Sequence, residues 1–350
     1  MATLESIAKD LNLSTATVSR ALRGARGVNK ATRTRVEVAA ERLGYVKLRR
    51  QEMSKDIAIL VPSKSHSDMH ELARRHMIAI SDEIAKRGWR LQPVFMSGDH
   101  QDFEAVLDGR GEQFGNSGRP ADGCLVIGQL PSAEDDPHAV QKRLAERFDG
   151  NVVMICRHDV LHGISGVSQM NYVGGTQAVR LLLDAGHRRI GWVGSLGSRD
   201  SAEERLGGVL TQVIRTPGAS LDCQIWLDDT KLLPTTYMVE LFAEALPRNR
   251  ADWPTAWVCS TDWLAAKFII WARGQGANVP ADMSVVAFDN TRVSEELAET
   301  IITSVVFPYE QIARKAVELL GSLMDSPTAD SIVWTLPPRV RVGETVGQRK

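Results

Sequence analysis

Hydroxyl side chains and one arginine are grouped near the start of the chain, between Thr15 and Arg20. The Arg20 guanidinium can donate two hydrogen bonds to the O6 and N7 atoms of guanine, and the methyl group of Thr15 can pack on that of thymine. The Thr17 hydroxyl suits a phosphate oxygen, a contact that fixes register on a duplex without reading its sequence. Each residue alone is equally typical of an exposed helix surface, so the surrounding elements and charge must decide.

Three short helices are predicted for the first 44 residues. Apolar residues at helical spacing indicate a first helix over residues 3–11, capped by Thr3. Ser14 can cap a second helix, Thr15–Leu22, and a third is expected over residues 29–43. One face of the second helix is apolar and is expected to pack inward: Val18, Ala21 and Leu22. The tight turn between the first two helices predicts a helix-turn-helix, whose second helix enters the DNA major groove.

Positive charge is concentrated in the same part of the chain. Residues 1–50 hold eleven Lys or Arg against four Asp or Glu, a net charge of +7. Because the whole chain carries a formal charge of −1, the remainder carries −8. A basic segment on an acidic body is the asymmetry expected when only that segment meets a polyanion, although an ordinary solvated surface is equally consistent with charge alone.

Length and composition indicate a globular protein of more than one domain. At about 100 to 200 residues per domain, 350 residues suggest two or three units. The contents of 43% hydrophobic and 24% charged residues are typical of globular proteins. No stretch is long and apolar enough to span a membrane, and the first residues lack the apolar core of a secretory signal. A cytoplasmic location is therefore expected.

Cysteines and glycines give no pattern for a metal or a cofactor. The four cysteines are far apart, without a CxxC pair or a Cys/His cluster for zinc, and are expected to be reduced thiols. The glycine-rich segment 109–123 lacks the pattern of a phosphate-binding loop, and no nucleophile elbow or dinucleotide fingerprint is present. An α/β hydrolase or dehydrogenase with an added helical segment is therefore disfavoured, and no cofactor is expected. A transport binding protein is disfavoured as well, because it would need the secretory signal that the first residues lack.

From Ile57 onward, short apolar runs alternate with helical segments. Such runs occupy residues 57–62, 122–128 and 151–156, and "MSVVAFD" at 283–289 is the last of the series. Strands that are apolar throughout, separated by helices, predict parallel sheets covered on both faces. Ligands of such sheets bind at the carboxyl ends of the strands.

The first part of the chain resembles the DNA-binding head of the LacI family of bacterial transcription regulators. The resemblance runs from Thr3 to Tyr45, through "TLESIAKDLNLSTATVSRALRG" and "VNKATRTRVEVAAERLGY". It implies base contacts from the second helix by Thr15, Ala16 and Arg20. It implies phosphate contacts by three hydroxyl-bearing residues: Thr3, Ser14 and Thr17.

The linker after Tyr45 departs from the family pattern. Family members usually continue with a hinge helix whose leucine wedges into the minor groove, whereas this chain has the shorter "VKLRRQEMSKD" at 46–56. A helical turn with Leu48 or Met53 as the wedge and a basic tether without a wedge are both open. In either case, three basic residues of the linker can hold phosphates or a narrowed minor groove: Lys47, Arg49 and Arg50.

The body resembles the sensor domain of the same family. The stretches that carry the resemblance are "NYVGGTQAVRLLLDAGHRRIGWVG", "ERLGG", "TDWLAA" and "VPADMSVVAFDN". The resemblance implies an N-terminal all-α helix-turn-helix head followed by a periplasmic-binding-protein-like (type I) α/β sensor domain of two parallel-sheet subdomains. The expected boundaries are a head at 1–46, a linker at 47–56 and a sensor and dimerisation domain at 57–350. Its subdomains are expected near 57–156 with 305–325, and near 157–304 with 326–350.

Effector-binding residues are carried over from the family to the cleft of the sensor domain. Arg205 matches the arginine that grips the effector, and its planar fork can pair with two hydroxyls or a carboxylate. Asp262 and Asp289 each follow a strand, where a carboxylate can accept hydrogen bonds from sugar hydroxyls. Asp68 lies in the expected near wall, "SHSDMH" at 65–70, and Trp226, or alternatively Trp263, can stack on a sugar ring.

These observations together predict a DNA-binding transcription regulator and, by family resemblance, a repressor. One head contacts few base pairs, so a homodimer on a pseudo-palindromic operator is expected, and further pairing to a tetramer stays open. The expected effector is a small molecule, a sugar or sugar derivative, that favours one closure state of the cleft.

Overall fold

The structure is a computed structural model with two compact units, one up to Lys55 and one from Asp56 onward. It describes residues 4–22, 30–43, 55–62, 67–96, 121–128, 137–156, 164–195, 199–228, 235–326, 328 and 330–349. Among these residues, no helix has the length and apolarity needed to cross a membrane.

The first unit, called the head below, is a three-helix bundle. Its helices are α1 (Leu4–Leu11), α2 (Thr15–Leu22) and α3 (Lys30–Arg42). They bury a small apolar core: Ile7, Ala8, Val18, Ala21, Val36, Ala39 and Ala40. The turn between α1 and α2 passes through Asn12, whose left-handed backbone (φ +54°) is one that asparagine tolerates. The predicted helices are confirmed, as are the inward positions of Val18 and Ala21.

The second unit contains two six-stranded sheets, and the lobe built on each is named in chain order. The first lobe has strands β1 (Asp56–Pro62), β2 (Arg90–Met96), β3 (Gly123–Ile127), β4 (Val152–Ile155), β5 (Ser165–Gln169) and β11 (Val333–Leu336), in the order β11-β5-β4-β3-β1-β2. All of its strand pairs are parallel. Its helices are α4 (Ser67–Lys86), α5 (Pro137–Arg147) and α11 (Tyr309–Asp325).

The second lobe repeats this arrangement with one antiparallel edge strand. Its strands are β6 (Arg189–Ser195), β7 (Ser220–Leu227), β8 (Ala256–Cys259), β9 (Ser284–Phe288), β10 (Thr303–Val306) and β12 (Arg339–Arg341), in the order β12-β10-β9-β8-β6-β7. Strand β12 pairs antiparallel with β10. Its helices are α6 (Asn171–Asp184), α7 (Arg199–Arg215), α8 (Thr235–Ala245), α9 (Asp262–Gly274) and α10 (Arg292–Ala298).

Buried strands explain the parallel sheets. Every residue of β3, β4, β8 and β9 is buried, so these strands need cover on both faces, and helices supply it. The predicted fold class is thereby confirmed.

Within the described residues, the chain passes between the lobes three times, and this changes the predicted subdomain boundaries. It crosses near Met170, at 307–308 and at 337–338, because the flanking strands belong to different sheets. Residues 165–169 and 333–336, predicted for the second subdomain, lie in the first sheet. Residues 305–306, predicted for the first subdomain, end a strand of the second sheet. The physical reason is hydrogen-bond pairing: β5 pairs with β4, and β11 pairs with β5.

Candidate functional sites

The start of α2 presents the residues predicted to meet DNA. Thr15 is exposed, as is Ser14, whose hydroxyl accepts a hydrogen bond from the Thr17 backbone N–H at 3.1 Å. The Ser14 and Thr17 hydroxyls are also hydrogen-bonded to each other at 2.8 Å. Ser14 therefore caps α2, as predicted, and this capping orders the first turn of the helix, to which Thr15 belongs.

Several predicted DNA contacts fall outside the described residues. These are Thr3, the side chains of Ala16 and Arg20, and the linker residues Lys47, Leu48, Arg49 and Arg50. Their roles stay predictions.

Arg205 lies on α7 in the second lobe and is 4% exposed. Its guanidinium donates to three groups: Nε to Asn171 Oδ1 at 3.0 Å, Nη1 to the Ser260 carbonyl, and Nη2 to Asp289 Oδ1 at 3.4 Å. The same group lies 4.5 Å from the ring centroid of Phe288 and 5.3 Å from that of Phe307. A buried guanidinium needs this combination of hydrogen bonds, an opposite charge and aromatic faces, because it has lost its hydration.

Two glycine-containing motifs of the sequence explain how Arg205 is placed. Gly175 of "NYVGG" lies against α7, and a Cβ atom there would stand 1.8 Å from the Arg205 carbonyl oxygen. Gly208 of "ERLGG" lies against α6, where a Cβ atom would stand 2.0 Å from the Tyr172 carbonyl oxygen. Both contacts involve backbone atoms that cannot swing away. The close approach of α6 and α7 therefore requires glycine at both positions. This approach brings Arg205 of α7 close to Asn171 of α6.

Asp289 occupies the turn directly after β9 and is also buried. Its backbone has φ of +89°, and that of Asn290 has φ of +61°, a left-handed region that L residues rarely adopt. The Asp289 N–H donates to the Val305 carbonyl at 3.0 Å, which holds this turn on β10. Its Oδ1 accepts a hydrogen bond from the Tyr309 hydroxyl at 2.5 Å. Strained backbone of this kind is found at binding sites, where neighbouring contacts maintain it.

The first lobe contributes His76 and Cys156 beside Tyr309. His76 Nδ1 lies 2.8 Å from the Leu72 carbonyl, so Nδ1 carries the proton and Nε2 faces the Cys156 sulfur at 3.4 Å. The His76 ring meets the Tyr309 ring edge-on, with centroids 5.2 Å apart. We refer to Arg205, Asp289, Tyr309, His76 and Cys156 as the interlobe cluster.

Within the interlobe cluster, burial keeps three groups uncharged. Burial lowers the pKa of His76 to about 4. Burial, with the nearby Asp289 charge, raises the pKa of the Cys156 thiol to about 12 and that of Tyr309 well above its usual value. At neutral pH, His76, Cys156 and Tyr309 are thus uncharged hydrogen-bonding groups.

The other predicted effector residues have different surroundings. Asp262 is buried, and its Oδ2 accepts hydrogen bonds from the backbone N–H and, at 2.9 Å, the hydroxyl of Thr291, next to the start of α10. Trp226 is half-buried on β7, 6.0 Å from the Trp192 ring. The Asp68 side chain lies outside the described residues.

The structure thus brings Arg205 and Asp289 together, and Ser260 links Arg205 to the turn that precedes Asp262. Sequence reasoning did not single out Asn171, Tyr309, His76 or Cys156. Asn171 had a signal in "NYVGG", because a polar residue opens a helix directly after a buried strand. His76 and Tyr309 had none, since each lies within an ordinary amphipathic helix.

Comparison with known proteins agrees with this architecture. The family model "Bacterial regulatory proteins, lacI family" matches residues 3–47, and "Periplasmic binding protein-like domain" matches residues 179–346. Catabolite control protein A of Priestia megaterium is 26% identical over 346 residues, covering 97% of both chains. The HTH-type transcriptional repressor CytR of Escherichia coli (strain K12) is 27% identical over 331 residues, covering 91% of this chain and 89% of CytR.

Solved structures show the same fold over the whole chain. A complex of the transcriptional regulator CelR with cellobiose superposes with a TM-score of 0.66 at 24% identity, covering 99% of this chain and 100% of the other. The lac repressor dimer bound to operator and the anti-inducer ONPF gives a TM-score of 0.64 at 20% identity, covering 99% of each chain.

The family models match the three-helix head and, from residue 179 to residue 346, part of the two-lobed unit. Both relatives match over both parts, and CytR is a transcriptional repressor. The chain is thus similar to the LacI family of bacterial transcriptional regulators, in its three-helix head through the family model and over nearly its whole length through CytR.

Proposed function

We propose that the chain is a cytoplasmic repressor that binds a pseudo-palindromic operator as a homodimer. Its affinity for the operator is proposed to change when a sugar or sugar derivative binds between its lobes. The observation that carries the proposal is the interlobe cluster. It places a buried arginine and a buried carboxylate at the carboxyl ends of parallel strands, where ligands of such sheets bind.

The DNA-binding part of the proposal rests on the head. Its α2 is held by Val18 and Ala21 and leaves Thr15 exposed, the geometry that a recognition helix requires. We propose base contacts by Thr15, Ala16 and Arg20, and phosphate contacts by the hydroxyls and the linker: Thr3, Ser14, Thr17, Lys47, Arg49 and Arg50. Leu48 is proposed to face the minor groove. A dimer is proposed because two heads are needed to contact enough base pairs, and the related lac repressor was solved as a dimer on its operator.

The effector part rests on Arg205 and Asp289. A guanidinium fork and a carboxylate bind adjacent hydroxyl groups from opposite sides, the first by donating and the second by accepting hydrogen bonds. We propose Asp68 and Trp226 as further contacts and Asp262 as a contact or a support of the Thr291 turn. The related CelR was solved with cellobiose, which supports a sugar as the effector class.

Control of DNA binding requires that the effector binds one arrangement of the lobes more tightly than another, since equal affinity shifts no equilibrium. The three crossings of the chain between the lobes, near Met170, at 307–308 and at 337–338, are the segments that a change of closure must bend.

The DNA-binding proposal is tested by gel shift of the full chain on DNA from upstream of its own gene. Wild type is expected to bind at low salt and to weaken as salt rises, because phosphate contacts release counterions. Arg20→Ala is expected to lose about 1–3 kcal/mol of binding and to relax base preference at one position of each half-site. Arg180→Ala, an exposed arginine on α6, is the matched control and leaves binding unchanged. Equal binding by Arg20→Ala and wild type would exclude Arg20 as a base contact.

The effector proposal is tested by a thermal-shift screen of the full chain with sugars, sugar phosphates, sugar acids and nucleosides. A compound at 100 times its Kd stabilises the fold by about 2.7 kcal/mol. Asp289→Asn and Arg205→Lys are expected to remove most of that shift, while Arg180→Ala retains it. A shift that persists in both cluster variants would place the ligand elsewhere.

A further inference from the structure

Tyr309 lies where the chain passes from the second lobe to the first. It is the first residue of α11, which packs on α4 and on strands β3, β4 and β5 of the first lobe. Its hydroxyl donates to Asp289 Oδ1, a carboxylate of the second lobe, at 2.5 Å. Tyr309 is 2% exposed and Asp289 is 4% exposed, so this hydrogen bond between the lobes is shielded from water.

The ring of Tyr309 is held by first-lobe residues. The Arg75 guanidinium lies 5.3 Å from the ring centroid, and the His76 ring meets it edge-on at 5.2 Å. Both residues belong to α4. Arg75 is itself paired with Glu310, the next residue of α11, through an Nε to Oε1 distance of 3.0 Å. Tyr309 is therefore attached to α4 by its ring and to the second lobe by its hydroxyl.

Asp289 Oδ1 accepts hydrogen bonds from two donors, one on each lobe. The Tyr309 hydroxyl is at 2.5 Å, and Arg205 Nη2 is at 3.4 Å. Because Tyr309 stays protonated across the neutral range and a carboxylate oxygen can only accept, the Tyr309 hydroxyl is the donor of this hydrogen bond and Asp289 is its acceptor. Any group that draws the Asp289 carboxylate or the Arg205 guanidinium to itself therefore alters the hydrogen bond to Tyr309.

We propose that Tyr309 is a positioning residue that transmits the state of Asp289 in the second lobe to α4 and α11 in the first lobe. When Asp289 turns toward a bound hydroxyl group, the anchor of Tyr309 weakens and α4 keeps its second link to that lobe, in which the Glu71 carboxylate accepts from the Arg292 N–H at 3.1 Å. The biological use of this link rests on the proposed effector site, whereas the link itself exists in the chain without effector.

The test measures amide hydrogen exchange of the full chain without effector or DNA, in residues 72–86 of α4. We compare wild type, Asp289→Asn, Tyr309→Phe and the double variant. Asp289→Asn is expected to accelerate exchange in α4 about tenfold, because the Tyr309 hydroxyl then donates to a neutral amide oxygen, a weaker acceptor than the carboxylate. In the Tyr309→Phe background the same substitution is expected to change exchange by less than about twofold, because the link is already broken. Tyr172→Phe, at an exposed tyrosine on α6, is the control and leaves exchange in α4 unchanged.

Two results would overturn the proposal: exchange in α4 that does not respond to Asp289→Asn, or effects of the two substitutions that simply add. If Asp289→Asn does not fold, the reciprocal measurement decides, since coupling is symmetric. Tyr309→Phe must then accelerate exchange of the Asp289 amide, which is bonded to the Val305 carbonyl, and unchanged exchange there would refute the link. Because no effector is present, failure here is distinct from failure of the sugar screen.

Discussion

The head and the interlobe cluster are built in opposite ways. The head buries small apolar residues from helices that follow one another closely, and its predicted contact residue Thr15 faces solvent. The interlobe cluster buries polar groups from distant parts of the chain: His76 and Cys156 are 80 residues apart, and Arg205 and Asp289 are 84 apart. In the head, packing holds the residue proposed to contact DNA at the surface, whereas in the cluster the residues proposed to bind the effector are themselves part of the interior.

An arginine–aspartate pair in each region makes the energetic difference explicit. In the head, Arg42 reaches Asp10 at 2.5 Å with the arginine side chain 64% exposed. In the cluster, Arg205 and Asp289 are 3.4 Å apart with side chains 5% and 6% exposed. An exposed pair contributes about 0–1 kcal/mol, while breaking a buried pair leaves an uncompensated charge. The longer pair is therefore the one on which stability depends.

The largest expected effect is that of Asp289→Ala. The substitution removes the acceptor of both Arg205 Nη2 and the Tyr309 hydroxyl, and leaves a buried positive charge without its counter-ion. We expect the free energy of unfolding of the two-lobed unit to fall by about 3–5 kcal/mol. Urea denaturation of the full chain, followed by tryptophan fluorescence, measures it, because the tryptophans lie in that unit.

Asp10→Ala is the matched control for this prediction, because it removes the acid of the exposed pair. It is expected to cost less than about 1 kcal/mol, and only in the head. Similar losses from the two substitutions would contradict the contrast between the pairs.

The next effect is that of Ile7→Ala in the head. Ile7 is fully buried in a small core whose other buried residues are valines and alanines, with the half-buried Leu11 and Leu13 packed against it, so truncation leaves a cavity. We expect a loss of about 3 kcal/mol, which is most of what so small a bundle can provide. Operator binding in a gel shift should then be lost, while the thermal transition of the two-lobed unit is unchanged.

Val38→Ala is the control for Ile7→Ala, since Val38 lies on α3 with 59% exposure. It is expected to leave operator binding within about twofold of wild type. A loss of lobe stability in Ile7→Ala would show that the two units do not unfold separately.

The same contrast explains what the sequence could predict. The head helices were predicted within a residue or two, because their signals are local: a cap at Ser14 and apolar spacing that buries Val18 and Ala21. The alternation of strands and helices in the lobes was equally clear, since whole strands are apolar. The subdomain boundaries were less accurate, because pairing of β5 with β4 and of β11 with β5 is a long-range choice.

The candidate site was predicted only in part. Arg205 and Asp289 were found through family resemblance, and the structure joins them. His76 and Tyr309 could not be found, because a buried polar residue in an amphipathic helix looks like any other polar residue until the opposing lobe is known. Asp262 shows the converse: a carboxylate at a strand end has a role in holding Thr291 that sequence position alone does not reveal.

Acid pH is expected to weaken the lobes through His76. Its pKa is about 4 in the folded chain against 6.5 when exposed, so the unfolded state binds the additional proton between these values. The stability that neutral His76 provides is complete above pH 6.5 and is lost as the pH falls toward 4, by about 2–3 kcal/mol.

His76→Gln is expected to flatten this dependence in urea denaturation at pH 7, 6, 5 and 4. Burial also lowers the pKa of His187, which acts in the same direction, so the difference between wild type and variant isolates His76. The head has no histidine and serves as the internal reference. Parallel pH curves for the two proteins would show that His76 is not buried in neutral form.

The smallest effect compares one helix cap in each region. Ser14 caps α2 through the Thr17 N–H at 3.1 Å, and Thr261 caps α9 through the Leu264 N–H at 3.2 Å. Replacing either by alanine is expected to cost about 1 kcal/mol, confined to its own unit. Amide exchange of Val18, whose N–H is bonded to the Ser14 carbonyl at 3.0 Å, should rise about fivefold in Ser14→Ala and stay unchanged in Thr261→Ala. Operator affinity should fall only in Ser14→Ala, because only there does the frayed helix end carry a residue proposed to contact DNA. Equal operator affinity in the two variants would exclude the Ser14 hydroxyl as a phosphate contact. It would also mean that the start of α2 does not need to be ordered before binding, and that its contacts form on the DNA itself.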